Sequence, residues 1–477
     1  MEPSQLTAFD ASFLALDGPV SAGHVCLLAR LDDDVEPEEL FHQISARLHL
    51  APILRRRLRM PTLPMGRPWW IDDSDFDLDR HLSAVDLGGH GDDSALHEEV
   101  ARYAAEQLPR DRPLWHLRLV RGLADGHSAM VTKMHHCAVD GVGGRDLLAL
   151  LFGTDIADDS PTPSWRPGQG PGRAERFAHR VTDVSSWVAS AWRLEGKALG
   201  VTPSTLLRVT RETAATVADG LERLIEHDER PKPIPEATRT GPAPPTPFNA
   251  AISPARAFAT VTFPLAASRR LRRTTGVTAN DVLLASCAGA LRAWLTARDA
   301  LPETALIALV PIAISGDMAA GGFNRFTLTL CPLPTHVATA RGRLAFSHAA
   351  MQHAKREPTI PSTTLTDIAA VTGPGLASML TQAAAQLHLA DRVHLPFNLM
   401  ISNVPAPPQQ LSVGRRAAVL GTHPFPPLVD GLGLTICAQG YAGGLDVGVA
   451  SCARLVPDPS EVRDLLAAAH DELIDLE

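Results

Sequence analysis

Two proline-rich stretches divide this chain of 477 residues and limit the folds that it can adopt. The first covers 160–172, and eight prolines occupy 231–254. Between them, the Ala-, Arg- and Glu-rich segment 173–230 has the apolar spacing of helices. Proline-rich brackets of this kind are typical of connections between domains. The sequence therefore predicts two folded halves joined by a helical linker, with the units 1–159, 160–255 and 256–477.

Each half alternates short apolar runs with longer amphipathic segments, which is the pattern of strands connected by helices. In the first half the strand candidates are 25–31, 114–120 and 128–136, and the helix candidates are 37–48 and 95–108. In the second half a helix is predicted at 278–297 with Thr278 as its N-cap, and the strand candidates are 257–263, 305–314, 326–330, 398–402, 432–438 and 445–451. The predicted class is therefore α/β, with mixed sheets flanked by helices.

The composition excludes several classes of protein. Hydrophobic residues make up 45% and charged residues 20% of the chain, which argues against disorder and fibrous folds. A net charge of −9 provides no general attraction to phosphate backbones, so we expect no nucleic-acid partner. Six scattered cysteines without a C-x-x-C pair argue against a zinc site. We expect reduced thiols and, since no secretory signal is visible, a cytoplasmic location.

The segment 128–146 concentrates the residues that can carry chemistry. His135 and His136 stand where a predicted strand ends, and three glycines precede a helix predicted at 145–152. Because successive strand side chains point to opposite faces, one histidine is expected to be catalytic and the other structural. The same geometry argues against joint metal binding, so no metal is predicted. A neutral imidazole facing a cleft can accept a proton from a hydroxyl group.

Asp140 follows the histidine pair and has two possible roles. Its carboxylate can orient the imidazole, or it can stabilise the loop by accepting backbone N–H groups or pairing with an arginine. Because Gly141 follows directly and a helix is predicted soon after, the structural role is favoured.

The run Met134 to Gly141, MHHCAVDG, resembles the H-H-x-x-x-D-G signature of CoA-dependent acyltransferases. The chain as a whole resembles the bacterial wax ester synthase/acyl-CoA:diacylglycerol acyltransferase family, and the matching segments are 9–14, 112–115, 280–282, 401–405 and 456–458. They fall in the order that the family shows. The resemblance implies two chloramphenicol-acetyltransferase-like domains that meet at a channel holding the histidine.

The resemblance also implies a reaction, the transfer of a long acyl chain from acyl-CoA to diacylglycerol or to a long-chain alcohol. His136 would act as general base, and no acyl-enzyme is needed because a thioester is already activated. No cofactor is expected, since acyl-CoA is a substrate. Lipid substrates imply a peripheral attachment to the inner membrane or to lipid inclusions. The alternatives are a carrier-protein acyl donor and a non-catalytic lipid-binding protein of the same fold.

Asn280 opens a predicted helix with free N–H groups, so it is a candidate for stabilising the oxyanion, and capping the helix is the alternative. Asn403 and Ser402 are expected to be structural, in a Ser-Asn-Val-Pro turn, and lining the channel is the alternative for both. The predicted catalytic residues are His136, His135, Asp140 and Asn280, and the predicted structural or motif positions are Gly141, Asn403, Pro113 and Trp115. Two clusters are candidates for the CoA phosphates, one formed by Arg269, Arg270, Arg272 and Arg273 and the other by Arg55, Arg56, Arg57 and Arg59.

Overall fold

The computed structural model describes most of both predicted halves. The described residues are 3–61, 66–139, 141–154, 165–172, 242–313, 326–356, 377–393, 395–414 and 416–476, with isolated positions between 175 and 190. The helical segment 173–230 of the predicted linker lies outside the described residues apart from those isolated positions, and so does Asp140.

The observed elements follow the predicted alternation of strands and helices. The strands are β1 (Ser4–Gln5), β2 (His24–Leu31), β3 (Arg56–Arg59), β4 (Trp69–Asp72), β5 (Leu82–Gly91), β6 (Trp115–Leu123), β7 (Ala129–His135), β8 (Arg256–Pro264), β9 (Leu306–Ala313), β10 (Phe326–Leu333), β11 (Leu399–Val404), β12 (Ser412–Val413), β13 (Ala417–Phe425), β14 (Leu434–Tyr441) and β15 (Gly444–Cys452). The α-helices are α1 (Ala8–Ser12), α2 (Pro37–Arg47), α3 (Asp93–Ala105), α4 (Gly141–Phe152), α5 (Leu265–Thr275), α6 (Ala279–Thr296), α7 (Ala340–Arg356) and α8 (Pro459–Ile474), with a further helical stretch at 377–386.

The first large sheet combines strands from both ends of the chain. Its order within the described residues is β12-β13-β2-β7-β6-β5, with β5 and β6 parallel and the other pairs antiparallel. β13 pairs with β2 from Val419 opposite Leu31 to Phe425 opposite Cys26. The three predicted unit boundaries remain predictions, but the C-terminal unit is not confined to the second sheet, because β12 and β13 complete the first.

The second large sheet is mixed, as predicted. Its order is β10-β9-β11-β14-β15-β8 over the described residues, and β11 runs parallel to both β9 and β14. α6 packs against this sheet and is buried along most of its length, with Val282, Leu291 and Trp294 among its buried side chains. Thr278 is the N-cap of α6, since its side chain accepts a hydrogen bond from the Asp281 N–H. The Thr278 prediction is therefore confirmed.

The two sheets are joined by a polar contact in which β13 of the first sheet lies against β8 and β15 of the second. Asp446 of β15 is buried, and its carboxylate accepts hydrogen bonds from the Thr422 N–H at 2.6 Å and from the Thr262 hydroxyl at 2.7 Å. Burial raises the pKa of Asp446. Within the described ranges, no helix is both long enough and apolar enough to cross a bilayer.

Candidate active site

The two histidines of the motif have different surroundings. β7 ends at His135, and His136 lies in the turn that follows. The buried His135 ring has its Nε2 3.3 Å from Oδ2 of Asp17, while its Nδ1 accepts the Cys137 N–H at 3.2 Å. His136 instead lines a cavity. The expected separation of the two side chains is therefore observed, and only His136 reaches the cavity wall.

The His136 ring lies between aromatic residues from both halves of the chain. It stacks on Phe13 with ring centroids 4.2 Å apart and planes 7° apart. Phe326, the first residue of β10, approaches the same ring edge-on, with centroids 6.2 Å apart. The His136 N–H donates to the Gly23 carbonyl oxygen at 2.8 Å, which holds the turn. These contacts hold the plane of the imidazole in the cavity wall.

Asp17 is the carboxylate beside the histidine pair that sequence reasoning missed. Burial raises the pKa of Asp17, but the hydrogen bond and charge of His135, the Gly23 N–H and the Arg110 guanidinium lower it well below its usual range. The Gly23 N–H donates to Asp17 at 2.7 Å, and Arg110 donates to it at 2.8 Å. The available signal was an aspartate in an Asp-Gly-Pro turn just after the family-like run at 9–14.

Gly23 has space for no side chain. A Cβ atom there would lie 2.5 Å from the Phe13 carbonyl oxygen and 2.8 Å from Nε2 of His135. The close approach lets Gly23 contact both Asp17 and His136 through its backbone.

The cavity that His136 lines has a volume of about 430 Å³ and is walled by both large sheets. The lining side chains are mostly apolar, and His136 is the single imidazole among the described lining residues. The first sheet contributes Val25, Cys26, Leu27, Trp115, Leu117, Thr132, Met134, Pro424 and Phe425, and the second contributes Leu309, Pro311, Phe326, Leu328, Met400, Ser402, Val404, Thr435, Cys437 and Gln439. The arrangement presents one proton-accepting group to an apolar space between the sheets.

Trp115 and Pro113 lie at the start of β6, beside the end of β7. Trp115 lines the cavity, and its Nε1–H donates to the Leu54 carbonyl oxygen at 2.8 Å. Its ring stacks on His81, with centroids 4.5 Å apart. The Pro113 carbonyl accepts the Trp115 N–H at 3.0 Å. These contacts fix the Trp115 ring in the cavity wall, and the structural role of both residues stays a prediction.

Gly141 is the first residue of α4, so the predicted start of this helix at Arg145 is wrong. The sequence predicts that the glycines separate the strand from the helix. They form the first turn instead, where N–H groups have no intrahelical partner and poor helix formers are tolerated better than in the interior. The predicted role of Asp140 falls outside the described residues.

The two predicted asparagines do not meet His136 in the cavity wall. Asn280 is half-buried in the first turn of α6 and is absent from the cavity lining. The capping alternative for Asn280 is wrong, because Thr278 is the N-cap. Asn403 is exposed and still belongs to β11, where it pairs with Ala438 of β14. The expected turn therefore begins only after the strand. The neighbouring Ser402 faces the cavity instead, because side chains alternate along a strand.

The two arginine clusters differ in their partners. In β3, Arg56 lies 3.2 Å from the Asp72 carboxylate, and Arg57 lies 3.2 Å from that of Asp73. These two guanidinium groups are therefore engaged within the small sheet formed by β1, β4 and β3. The other cluster lies on α5, a helix without an acidic residue. Contact of either cluster with the CoA phosphates stays a prediction.

The six cysteines are free and buried. Burial raises the pKa of Cys137 well above its usual value, and the nearby Asp10 and Asp17 raise it further. Cys26 and Cys437 line the cavity, and burial raises the pKa of each thiol to about 12. These thiols are therefore protonated at neutral pH.

Comparison with known proteins tests the resemblance drawn from the motifs. Residues 6–283 match the wax ester synthase/diacylglycerol acyltransferase catalytic domain, and residues 323–474 match the C-terminal domain of the same family. The chain belongs to the wax ester synthase/diacylglycerol acyltransferase family. The resemblance is thereby confirmed, and this family member is an acyltransferase.

Individual relatives match this chain over nearly its whole length. A Mycobacterium tuberculosis protein whose name assigns it to the diacylglycerol O-acyltransferases is 31% identical, over 99% of this chain and 90% of that protein. The solved wax ester synthase/diacylglycerol acyltransferase from Marinobacter aquaeolei VT8 is 25% identical with a TM-score of 0.65, covering 99% of this chain and 98% of that one. The starter condensation domain of rhizomide synthetase shares the fold, with 13% identity, a TM-score of 0.51 and coverage of 99% and 96%.

Proposed function

We propose that this family member transfers a long acyl chain from acyl-CoA to the hydroxyl group of diacylglycerol or of a long-chain alcohol, with His136 as general base. The observation that carries the proposal is the position of His136, one imidazole in the wall of an apolar cavity built by both sheets. Burying a hydrocarbon chain there releases about 25 cal/mol per Å² of apolar surface. The names of the relatives support both acceptor classes.

The proposed step needs only the two substrates and His136. The imidazole takes the proton of the acceptor hydroxyl as that oxygen attacks the thioester carbonyl, and a C–O bond forms. The tetrahedral intermediate then collapses, the C–S bond breaks, and the imidazolium returns the proton to the departing thiolate. The stacking of His136 on Phe13 supports this role, because it holds the ring plane while the substrates are positioned.

The chemistry of the nearby thiols supports direct transfer without an acyl-enzyme. A cysteine nucleophile attacks as its thiolate. Burial raises the pKa of the lining residues Cys26 and Cys437 to about 12, and Cys137 is fully buried in the core around Leu14 and Leu114. None of these thiols is activated for attack at neutral pH.

His135 and Asp17 act as positioning residues in this proposal. Their contact lies on the side of β7 away from the cavity, so neither residue touches the substrates. Asp17 also accepts the Gly23 N–H, and the Gly23 carbonyl accepts the His136 N–H. The chain of contacts from Asp17 through Gly23 therefore sets the turn that presents His136. Asn280 as oxyanion donor stays a prediction without a supporting contact in the cavity.

We further propose peripheral contact with a membrane or lipid-inclusion surface. Diacylglycerol and long-chain alcohols partition into bilayers, so the protein must collect them at a surface. Sedimentation of the full chain with vesicles that contain diacylglycerol tests this contact, and a chain that stays in the supernatant at low salt contradicts it.

The experiment that tests the reaction is thiol release from palmitoyl-CoA, with and without dioleoylglycerol or hexadecanol. His136→Ala is compared with the wild-type protein and with His90→Ala, which replaces an exposed histidine of β5 outside the cavity. We expect acceptor-dependent release that falls by about 100-fold or more in His136→Ala and is retained in His90→Ala.

Two results would contradict the proposal. Equal acceptor-dependent release by the wild-type protein and His136→Ala means that His136 is not the base. Absence of release with both acceptors, in a protein that folds, redirects the assignment to a carrier-protein donor or to a non-catalytic lipid binder, and an acyl-loaded carrier protein then separates those two.

A further inference from the structure

Two polar side chains on the cavity face of β14 each have an oxygen atom without a hydrogen-bond partner in the described parts of the chain. Thr435, Cys437 and Gln439 alternate along the strand and all line the cavity. The Cys437 thiol is hydrogen bonded with Ser402. In contrast, Oγ1 of Thr435 and Oε1 of Gln439 have no partner among the described residues, although Thr435 is 1% exposed and Gln439 is 4% exposed.

The orientation of the Gln439 amide is set by the protein. Its Nε2–H donates to the Pro405 carbonyl oxygen at 3.0 Å, so Oε1 is the atom that remains for another donor. Val404 lies beside it in β11 and offers no polar side chain. A buried acceptor of this kind costs stability unless something donates to it.

Thr435 has the same relation to its surroundings. Its neighbours across the two adjacent strands are Met400 of β11 and Ala450 of β15, both apolar. A valine is close to threonine in size and would fill this position without the cost of an unpaired hydroxyl group. Thr335 and Thr422 also have buried hydroxyls without a partner among the described residues, but neither lines the cavity. The position of Thr435 and Gln439 in the cavity wall is what makes their oxygens candidates for a partner that enters the cavity.

We propose that the cavity accepts a lipid chain that carries a hydroxyl or keto oxygen along its hydrocarbon portion, and that Thr435 binds either kind of oxygen whereas Gln439 binds a hydroxyl group. The inference rests on the proposed function and narrows its substrate class. A chain hydroxyl donates to Oε1 of Gln439, whereas a hydroxyl or ketone oxygen accepts the Thr435 hydroxyl proton. A plain methylene chain leaves both protein oxygens unpaired.

The distance between Thr435 and Gln439 determines how far apart two oxygens on one lipid chain must be to reach both residues. Four residues of strand separate Thr435 from Gln439, which is about 13 Å. An extended hydrocarbon chain advances about 1.25 Å per C–C bond, since each bond is about 1.5 Å long at a tetrahedral angle. A chain that follows β14 therefore engages one residue with a single oxygen, or both with two oxygens about ten carbons apart.

The test compares binding of chains that differ only in the hydroxyl group. Calorimetry of the full-length protein with dodecanoyl-CoA and with its 8-, 10- and 12-hydroxy derivatives measures the Kd ratio of plain to hydroxylated chain. The variants are Thr435→Val and Gln439→Met. Thr335→Val is the matched control, because Thr335 is also buried with an unpartnered hydroxyl but lies outside the cavity lining.

We expect at least one hydroxylated chain to bind about tenfold more tightly than the plain chain, a preference that Thr435→Val or Gln439→Met removes and Thr335→Val retains. A plain chain that binds as tightly as every hydroxylated one overturns the proposal. An equal change of the Kd ratio in Thr335→Val also overturns it. If Thr435→Val or Gln439→Met weakens the binding of plain and hydroxylated chains equally, the proposal is again wrong, and the two oxygens bind the CoA part of the ligand.

A second arm separates this inference from the proposed function. Calorimetry with 1-dodecanol and 1,12-dodecanediol examines the cavity without CoA. Tighter binding of the diol, lost in Thr435→Val or Gln439→Met, supports the inference even if no acyl-CoA binds, in which case the proposed donor is wrong. Equal binding of the two alcohols together with absence of acyl-CoA binding overturns both.

Discussion

A Cβ atom at Gly448 would lie 1.9 Å from the carbonyl oxygen of Pro424. Gly448 is in β15 of the second sheet, and Pro424 is in β13 of the first, so the two backbones meet where the sheets join. Pro424 also lines the cavity. The separation of the sheets beside the candidate site is thus set by a residue without a side chain.

Gly448→Ala is therefore expected to lower the free energy of unfolding by about 2 kcal/mol or more, because the clash is with backbone and can be relieved only by parting the sheets. Urea denaturation measures this change. Gly440→Ala is the control, since a Cβ at Gly440 in β14 meets its nearest atom, Cδ1 of Leu265, at 3.8 Å. Equal destabilisation by both substitutions contradicts the expectation.

Asp17→Asn is expected to destabilise the protein by about 2 kcal/mol at pH 7, because it removes the charge beside His135 and Arg110. The pKa of Asp17 is lower in the folded protein than the usual value of about 3.9. Its contribution is therefore complete above about pH 4 and is lost as the pH falls through the folded pKa. Urea denaturation of both proteins at pH 7, 5 and 3 measures the difference, which should shrink only at pH 3. A difference that already disappears at pH 5 would refute this assignment.

Mild acid is expected to destabilise the contact between the sheets. Nε2 of His97 in α3 lies 2.9 Å from the Thr260 hydroxyl, and Nε2 of His423 in β13 lies 3.1 Å from that of Thr262, both in β8. Burial lowers the pKa of each histidine to about 4. The unfolded chain takes up these protons near pH 6.5 and the folded protein only near pH 4, so stability falls as the pH decreases between those values.

The urea midpoint at pH 7, 6 and 5 measures this loss. His423→Gln removes one of the two titrating groups and keeps a polar side chain opposite Thr262, so its midpoint should depend less steeply on pH than that of the wild-type protein. The same dependence in both proteins would exclude His423 as a source of the acid sensitivity.

Thr278 and Asp281 form the capping interaction at the N-terminus of α6, and Asn280 takes no part in it. The Asp281 carboxylate accepts the Thr278 N–H at 2.7 Å and lies 2.8 Å from Nδ1 of His348. Asp281→Ala is therefore expected to cost about 1–2 kcal/mol of unfolding free energy, and Asn280→Ala is expected to cost less. Thermal or urea denaturation of both variants decides the point, and a larger loss with Asn280→Ala would contradict the observed cap.

Local patterns predicted much of the secondary structure. The strand candidates 25–31, 114–120 and 128–136 correspond to β2, β6 and β7, and the helix candidate 278–297 corresponds to α6. These segments have strong apolar periodicity because each buries one or both faces in the core. The periodicity is a local property, so it is readable without knowledge of the partners.

Elements whose character depends on distant partners were not predicted. β13, at Ala417–Phe425, contains Gly421 and Pro424, which are unfavourable in strands, and it joins the first sheet from the far end of the chain. β5, at Leu82–Gly91, is largely exposed and has little apolar periodicity. Strand pairing stabilises both segments, and pairing between distant segments leaves little trace in the local sequence.

The sequence by itself determined the family, the α/β class and the fact that His135 and His136 face apart, because motif spacing and the two-residue period of a strand are local. Tertiary structure decided the rest of the site. It placed Asp17 beside His135, Phe13 and Phe326 around His136, and a wall from each sheet around one cavity. It also left Asn280 outside that wall. The physical reason is that these contacts depend on how the two sheets pack against each other, and that packing arises from the whole core, not from any one segment.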